Sequence, residues 1–128
     1  MKAPKWLRKD TINAVHQKTL LEQGGAPGIR DGGLLESALA RPINLFKYAP
    51  EPDLFDLAAA YGFGIASNHP FIDGNKRVAF YASVGFLRIN GVYLNAVEAD
   101  AAVTFLALAA GELSEEELAS WFRNNSES

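Results

Sequence analysis

Two apolar segments, Ala58 to Ala66 and Val78 to Ile89, enclose one short polar stretch, and the other hydrophobic positions fall into shorter runs around them. Leu54, Leu57, Ala58, Tyr61 and Ile65 recur at helical spacing and predict a helix from Leu54 to about Asn68, capped by Asp53. Pro70 disfavours helical geometry at His69, so the helix ends there. Gly62 and Gly64 each cost ~1 kcal/mol against Ala in a helix, and they permit close approach of a neighbour, which suits a central, buried position. Val78, Tyr81, Ala82, Gly85, Phe86 and Ile89 form the apolar face of a second helix, Asn75 to Asn90, with Asn75 as its N-cap and Gly91 as its stop.

The flanking pattern is also helical. Ile12, Val15 and Thr19 share one face of a helix from about Thr11 to Gln23, which Asp10 or Thr11 can cap and Gly24-Gly25 ends. His16 lies close to that face and reads as a packed helical histidine. Gly24 to Gly33, with five glycines and Pro27, reads as a compact turn or short hairpin, with Asp31 capping the next helix. Leu35, Ala38 and Leu39 mark that short helix, from Leu34 to Ala40, which stops before Pro42, and Ile43 to Pro52 is irregular. Asn95-x-x-Glu98 resembles a capping box opening a helix through Ala110. Ser114-x-x-Glu117 is a full capping box for a last helix with Leu118, Trp121 and Phe122 on its buried side, and Asn124 to Ser128 should fray. The pattern is all-α: about six helices with short connections, residues 1–128 forming a single domain.

Composition narrows the function. The chain has 128 residues, 48% hydrophobic and 21% charged, ordinary for a soluble globular domain. It has no Cys, which excludes a disulfide framework and a thiolate metal site, and a reducing, cytoplasmic setting fits. No apolar run reaches the ~18–20 residues of a membrane span, and the basic stretch Met1 to Asp10 lacks the apolar core of a signal peptide. A net charge of −3 argues against direct binding of nucleic acid.

The polar stretch between the two central helices is His69-Pro70-Phe71-Ile72-Asp73-Gly74-Asn75-Lys76-Arg77. Gly74 lets the backbone turn, and the start of the next helix carries unpaired N–H groups at the positive end of its dipole. Lys76 and Arg77 add charge there, making an anion site for which phosphate is the usual guest. Phosphoryl or nucleotidyl transfer to a hydroxyl needs positioning, a base and cations on the phosphates. His69 is the natural base. Asp73, the only carboxylate of the stretch, is a ligand of the kind Mg²⁺ takes together with substrate phosphates. Gly74, Asn75, Lys76 and Arg77 would hold the nucleotide, and Phe71 would anchor the loop from inside.

The stretch resembles the signature of the Fic/Doc family, H-x-F-x-D/E-G-N-G-R-x-x-R in the Fic branch, matching at His69, Phe71, Asp73, Gly74, Asn75 and Arg77. Lys76 stands where that branch has its second Gly, and Phe80 where it has its last Arg. Lysine at this place is typical of the Doc (death-on-curing) branch, close to H-x-F-x-D-A-N-K-R, from which Gly74 is a small departure. Gly24-Gly25-x-Pro27-Gly28-Ile29-x-Asp31, Leu34 to Leu39 and Phe86-Leu87-Arg88-x-Asn90-Gly91 are also similar to Doc toxins.

The resemblance implies a compact Fic/Doc-type helical domain with a short flap around Gly28, Ile29, Arg30 and Asp31 that holds an extended target segment by main-chain pairing. It implies the toxin of a type II toxin–antitoxin pair: a kinase passing the γ-phosphate of ATP, with Mg²⁺, to a Thr or Ser hydroxyl of a translation factor such as elongation factor Tu, which inhibits translation. It implies a Phd-like antitoxin whose disordered tail folds on binding. AMP transfer of the Fic type is the alternative, and a small helical binding module is the non-enzymatic one. A metal hydrolase would want more than the two histidines present, and a helix-turn-helix DNA binder would want a basic recognition helix.

Overall fold

A computed structural model describes residues 2–127; Met1 and Ser128 lie outside the described residues. The fold is all-α, with six helices among the described residues: α1 Lys9–Gln23, α2 Gly32–Tyr48, α3 Leu54–Asn68, α4 Asn75–Ile89, α5 Glu98–Ala109 and α6 Glu115–Asn124. A short antiparallel ribbon joins β1, Tyr93–Leu94, to β2, Ser126–Glu127.

Helix α3 is the core of the molecule. Leu57 to Tyr61 and Ile65 are wholly inaccessible to solvent, because α2, α4 and α6 all pack against this one helix. Its two glycines allow that crowding. A Cβ on Gly62 would stand 2.5 Å from the Ser83 hydroxyl of α4, and one on Gly64 would stand 3.3 Å from Ala38 Cα of α2. Asp53 caps α3 through a capping box with Asp56, and Arg123 of α6 bonds both carboxylates.

Helix α2 departs from the sequence pattern most. It runs straight through Pro42, where the expected helix stops, to Tyr48. Proline at a helix interior removes one N–H bond, and typically costs ~3 kcal/mol. Here the ring is fully buried, and Leu45 and Phe46 beyond it pack on the core. Trp6 lies with its ring centroid 5.8 Å from both Phe46 and Phe86. Tertiary packing therefore carries the helix past its breaker.

The other differences are at ends. α1 begins at Lys9 with Arg8 at the cap position, and no side chain caps it, so neither Asp10 nor Thr11 does so. α5 begins at Glu98 without a side-chain cap. The expected cap, Asn95, instead donates its N–H to Asn125 O at 2.6 Å and its side-chain amide to Glu127. That pairing also orders the tail through Glu127, which does not fray. Trp121 of α6 is only half-buried and bonds Asp100, while Leu118, Ala119 and Phe122 face the core.

Candidate active site

The turn from α3 into α4 carries the polar motif, and three separate segments hold it. α3 ends at His69, whose backbone is left-handed at φ 49° and ψ 56°, and whose side chain is exposed. Phe71 is buried and its ring stacks on the His16 ring at 3.9 Å, with 17° between the planes. His16 Nε2 lies 2.8 Å from the carbonyl oxygen of Asp73. A carbonyl only accepts, so His16 carries a proton on Nε2 and donates it. His16 is therefore a packed helical histidine, as its position in the apolar pattern indicates, and it also props the motif loop.

Gly74, not Asn75, occupies the N-cap position of α4, with φ 84°. That conformation suits glycine and few other residues. Asn75 is the first helical residue, and its side chain is turned inward. Its Oδ1 accepts the Phe71 N–H at 2.9 Å, and its Nδ2 donates to the Phe71 carbonyl at 2.9 Å. Nδ2 also lies 3.5 Å from His69 Nδ1, too far to fix the tautomer of that ring. The expected cap is thus a staple that folds the loop back on itself.

The flap residues lie beside the motif. Ile29 bridges Phe71 as in an antiparallel ladder, and Gly28 O accepts the Ile72 N–H at 3.1 Å. Arg30 N and Asp31 N both donate to Pro70 O. Asp31 caps α2 through Leu34 N. Just before the flap, Ala26 N donates to Asp73 Oδ2 at 2.8 Å. Gly25, at φ 120°, lets the chain pass close by: a Cβ there would stand 3.3 Å from Asp73 Cβ. One Asp73 oxygen is so committed, and the carboxylate is exposed.

Lys76 is exposed and Arg77 half-buried, and among the described residues neither pairs with a carboxylate. Arg77 reaches only Gln23 Oε1 at 3.4 Å. Both line a cleft of about 350 Å³ between α4 and α5. Phe80 and Tyr81 continue its α4 wall, and Ala101, Ala102 and Phe105 form the α5 wall, with Glu98 also at its border. Phe80 packs edge-on against Phe105 at 5.1 Å, so the position that holds Arg in the Fic signature belongs here to interhelical packing. The amides of the first α4 turn have no intrahelical acceptors. His69, Asp73, Gly74, Lys76 and Arg77 thus come together at one helix start, while Asn75 and Phe71 support them from beneath.

Sequence reasoning missed His16, Ala26 and the α5 wall as parts of the site. Only His16 left a signal, four residues after Ile12 and three before Thr19, both fully or nearly fully buried. Among the described residues no group of three or more potential metal ligands exists, and no helix is long and apolar enough to cross a membrane.

The family model described as Fic/DOC matches residues 6–87. The chain is similar to the protein named Toxin Doc of Mycolicibacterium smegmatis, 47% identical over 74 residues, which is 57% of each chain. It is similar to Protein kinase doc of Escherichia phage P1, 36% identical over 83 residues, 65% of this chain and 66% of the relative. Each match spans less than two thirds of the relative's length. The α5 wall lies outside the segment matched by the family model.

Proposed function

The chain belongs to the Fic/DOC family, and on that premise we propose that it is a Doc-type toxin acting as a protein kinase on Ser or Thr hydroxyls. One observation carries the reading. An exposed histidine and a partly free carboxylate flank the start of α4, and two cations without carboxylate partners among the described residues stand on its first turn and line a partly aromatic cleft. The names of the relatives, a toxin and a protein kinase, support it.

His69 would take the proton of the target hydroxyl as it attacks the terminal phosphorus of ATP, while the bond from that phosphorus to the β–γ bridging oxygen breaks and ADP leaves. Lys76, Arg77 and the free amides of the first α4 turn would hold the phosphate oxygens. The cleft has room for the rest of the nucleotide, with Phe80 and Tyr81 as its apolar wall. Asp73 fits Mg²⁺: one exposed carboxylate, one of its oxygens held by Ala26 N–H, is the kind of single protein ligand that ion takes beside substrate phosphates. When bound, the ion would neutralise phosphate charge. The residues Gly28 to Asp31 would offer an extended target their remaining backbone groups, with a translation factor such as elongation factor Tu as target. A Phd-like antitoxin with a tail that folds on binding would cover the same groove, and the setting would be cytoplasmic.

Lys76 separates phosphoryl from AMP transfer. A glycine there would open room for a phosphate against the backbone; lysine fills part of it and brings a mobile ammonium suited to a terminal phosphate. Gly74, the Fic-like departure, is accounted for by its left-handed backbone and does not itself argue for AMP transfer.

The test is a bacterial lysate incubated with the protein, Mg²⁺ and ATP labelled at either the α- or the γ-phosphate. Only γ-label should reach protein, and the His69→Ala variant should transfer none. Transfer of α-label by the parent would replace the kinase reading with AMP transfer. Lys76→Gly should lose at least ~10-fold in rate; a smaller loss is less than ~1.4 kcal/mol of transition-state stabilisation, too little for a residue said to orient the nucleotide.

A further inference from the structure

His69 occupies an awkward place. It ends α3 in a left-handed conformation that non-glycine residues adopt rarely, and the next residue, Pro70, has no N–H to close the turn. The carbonyls at the end of α3 therefore need donors from elsewhere. The last turn of α3 has no basic residue of its own.

Arg30 supplies what is missing. Its Nε donates to His69 O at 2.6 Å and its Nη2 to Asn68 O at 2.7 Å. Its own N–H and that of Asp31 donate to Pro70 O at 2.7 and 3.1 Å. Three successive carbonyls, 68 to 70, are thus held by two adjacent flap residues. The guanidinium is planar, with two donors in a fixed fork, and it sits at the negative end of the α3 dipole, where a cation is favoured. Asn68 is fixed from its other side, through its amide to Leu34 O at 3.0 Å. By contrast, among the described residues the imidazole of His69 has only the long 3.5 Å approach of Asn75, so its position is set by its backbone.

We infer that Arg30 is a positioning residue for His69: its fork on the carbonyls of Asn68 and His69 sets where the imidazole stands relative to the start of α4. The flap is then a clamp on the histidine as well as a docking strip, and a target segment lying along residues 28–31 bears on the histidine through Arg30. The catalytic side of this inference rests on the reading of His69 as the base.

The experiment separates the two. The chain has two histidines, so their ring signals are resolvable by NMR, with His69→Gln assigning the pair. In Arg30→Met the His69 ring signals should shift or broaden while those of His16 stay in place. The initial rate of γ-label transfer at saturating ATP should fall ~10–100-fold, as misplacing a reacting group by about 1 Å does, with half-saturation by ATP unchanged. Arg30→Lys, which keeps the charge but not the fork, should move the same signals less, and it carries the test if Arg30→Met does not fold. A folded variant with unmoved His69 signals overturns the inference. So does a loss confined to ATP half-saturation, which would make Arg30 a nucleotide contact. The ring signals need no turnover: a parent without γ-transfer would remove the kinase reading, and the signals would still decide the positioning.

Discussion

Asn75 offers the sharpest division between two roles for one residue. As a phosphate ligand its loss would spare the fold; as a staple of the motif loop its loss would be felt there first. Its amide makes two 2.9 Å hydrogen bonds, to the N–H and the carbonyl of Phe71, a residue only 1% exposed. Removing a partner from a buried polar group costs roughly 1–3 kcal/mol per group. Neighbouring Ile72 is exposed, so water reaches part of the loop and the lower half of that range applies. Asn75→Ala should therefore lose about 2–4 kcal/mol, a large share of the ~5–15 kcal/mol of a typical domain. With a urea dependence of ~2 kcal/mol/M, the middle of the usual range, the unfolding midpoint should drop by about 1–2 M. Asn75→Asp keeps the acceptor for Phe71 N–H but sets a carboxylate against Phe71 O, and should lose at least as much at neutral pH. Urea unfolding followed by tryptophan fluorescence measures both. An Asn75→Ala variant within about 0.5 kcal/mol of the parent that no longer binds ATP would refute the staple and restore the phosphate role.

Three further outcomes rest on the same geometry. His69→Gly should abolish transfer while leaving stability unchanged or raised by up to ~1 kcal/mol, since glycine relieves the left-handed backbone; a clear loss in thermal melting would count against strain there. In α4, Gly85→Ala meets nothing within 4 Å and should gain ~0.8–1 kcal/mol in helix propensity. Gly62→Ala, whose Cβ would strike Ser83 Oγ, should lose ~1–3 kcal/mol, and equal effects from the pair in denaturant titrations would contradict the packing at α3. Burial raises the Asp53 carboxyl, but the Asp56 N–H and Arg123 outweigh it and hold it below its ordinary 3.8. A depressed folded value means stability that is present above the unfolded value and lost as pH falls through the folded one. Asp53→Asn should therefore flatten the acid end of the melting-temperature profile, and an unchanged profile would show that the Arg123 pair contributes nothing there.

The central helices were legible because their apolar residues and their stops lie within one turn of each other: Asp53, Pro70 and Gly91 mark ends that local chemistry enforces. Gly62 and Gly64 even announced the close packing of α3. What escaped was set by distant partners. Pro42 reads as a stop unless the packing of Trp6 against Phe46 is known. Asn95 reads as a cap unless the tail is seen to pair with it. At the site, residue types singled out the motif loop, but the side-chain directions could not be read from them. Asn75 in a helix start looks like a cap or a ligand, and only the fold shows its amide turned toward Phe71. His16 sits 57 residues from Asp73 in sequence, and no local pattern ties them.

That long separation bears on when activity can arise during folding. α3 and α4 are neighbours in sequence and can dock early, since closing a short loop costs little entropy. Their docking leaves the motif turn without its supports, because His16, Ala26 and Arg30 reach it across 57, 47 and 39 residues. Contacts between segments so far apart along the chain tend to form late. A collapsed intermediate with the helical hairpin in place would therefore hold every residue of the motif and still be chemically inert. On the proposed reading as a toxin, the reaction would switch on only as the N-terminal helix and flap close over the turn.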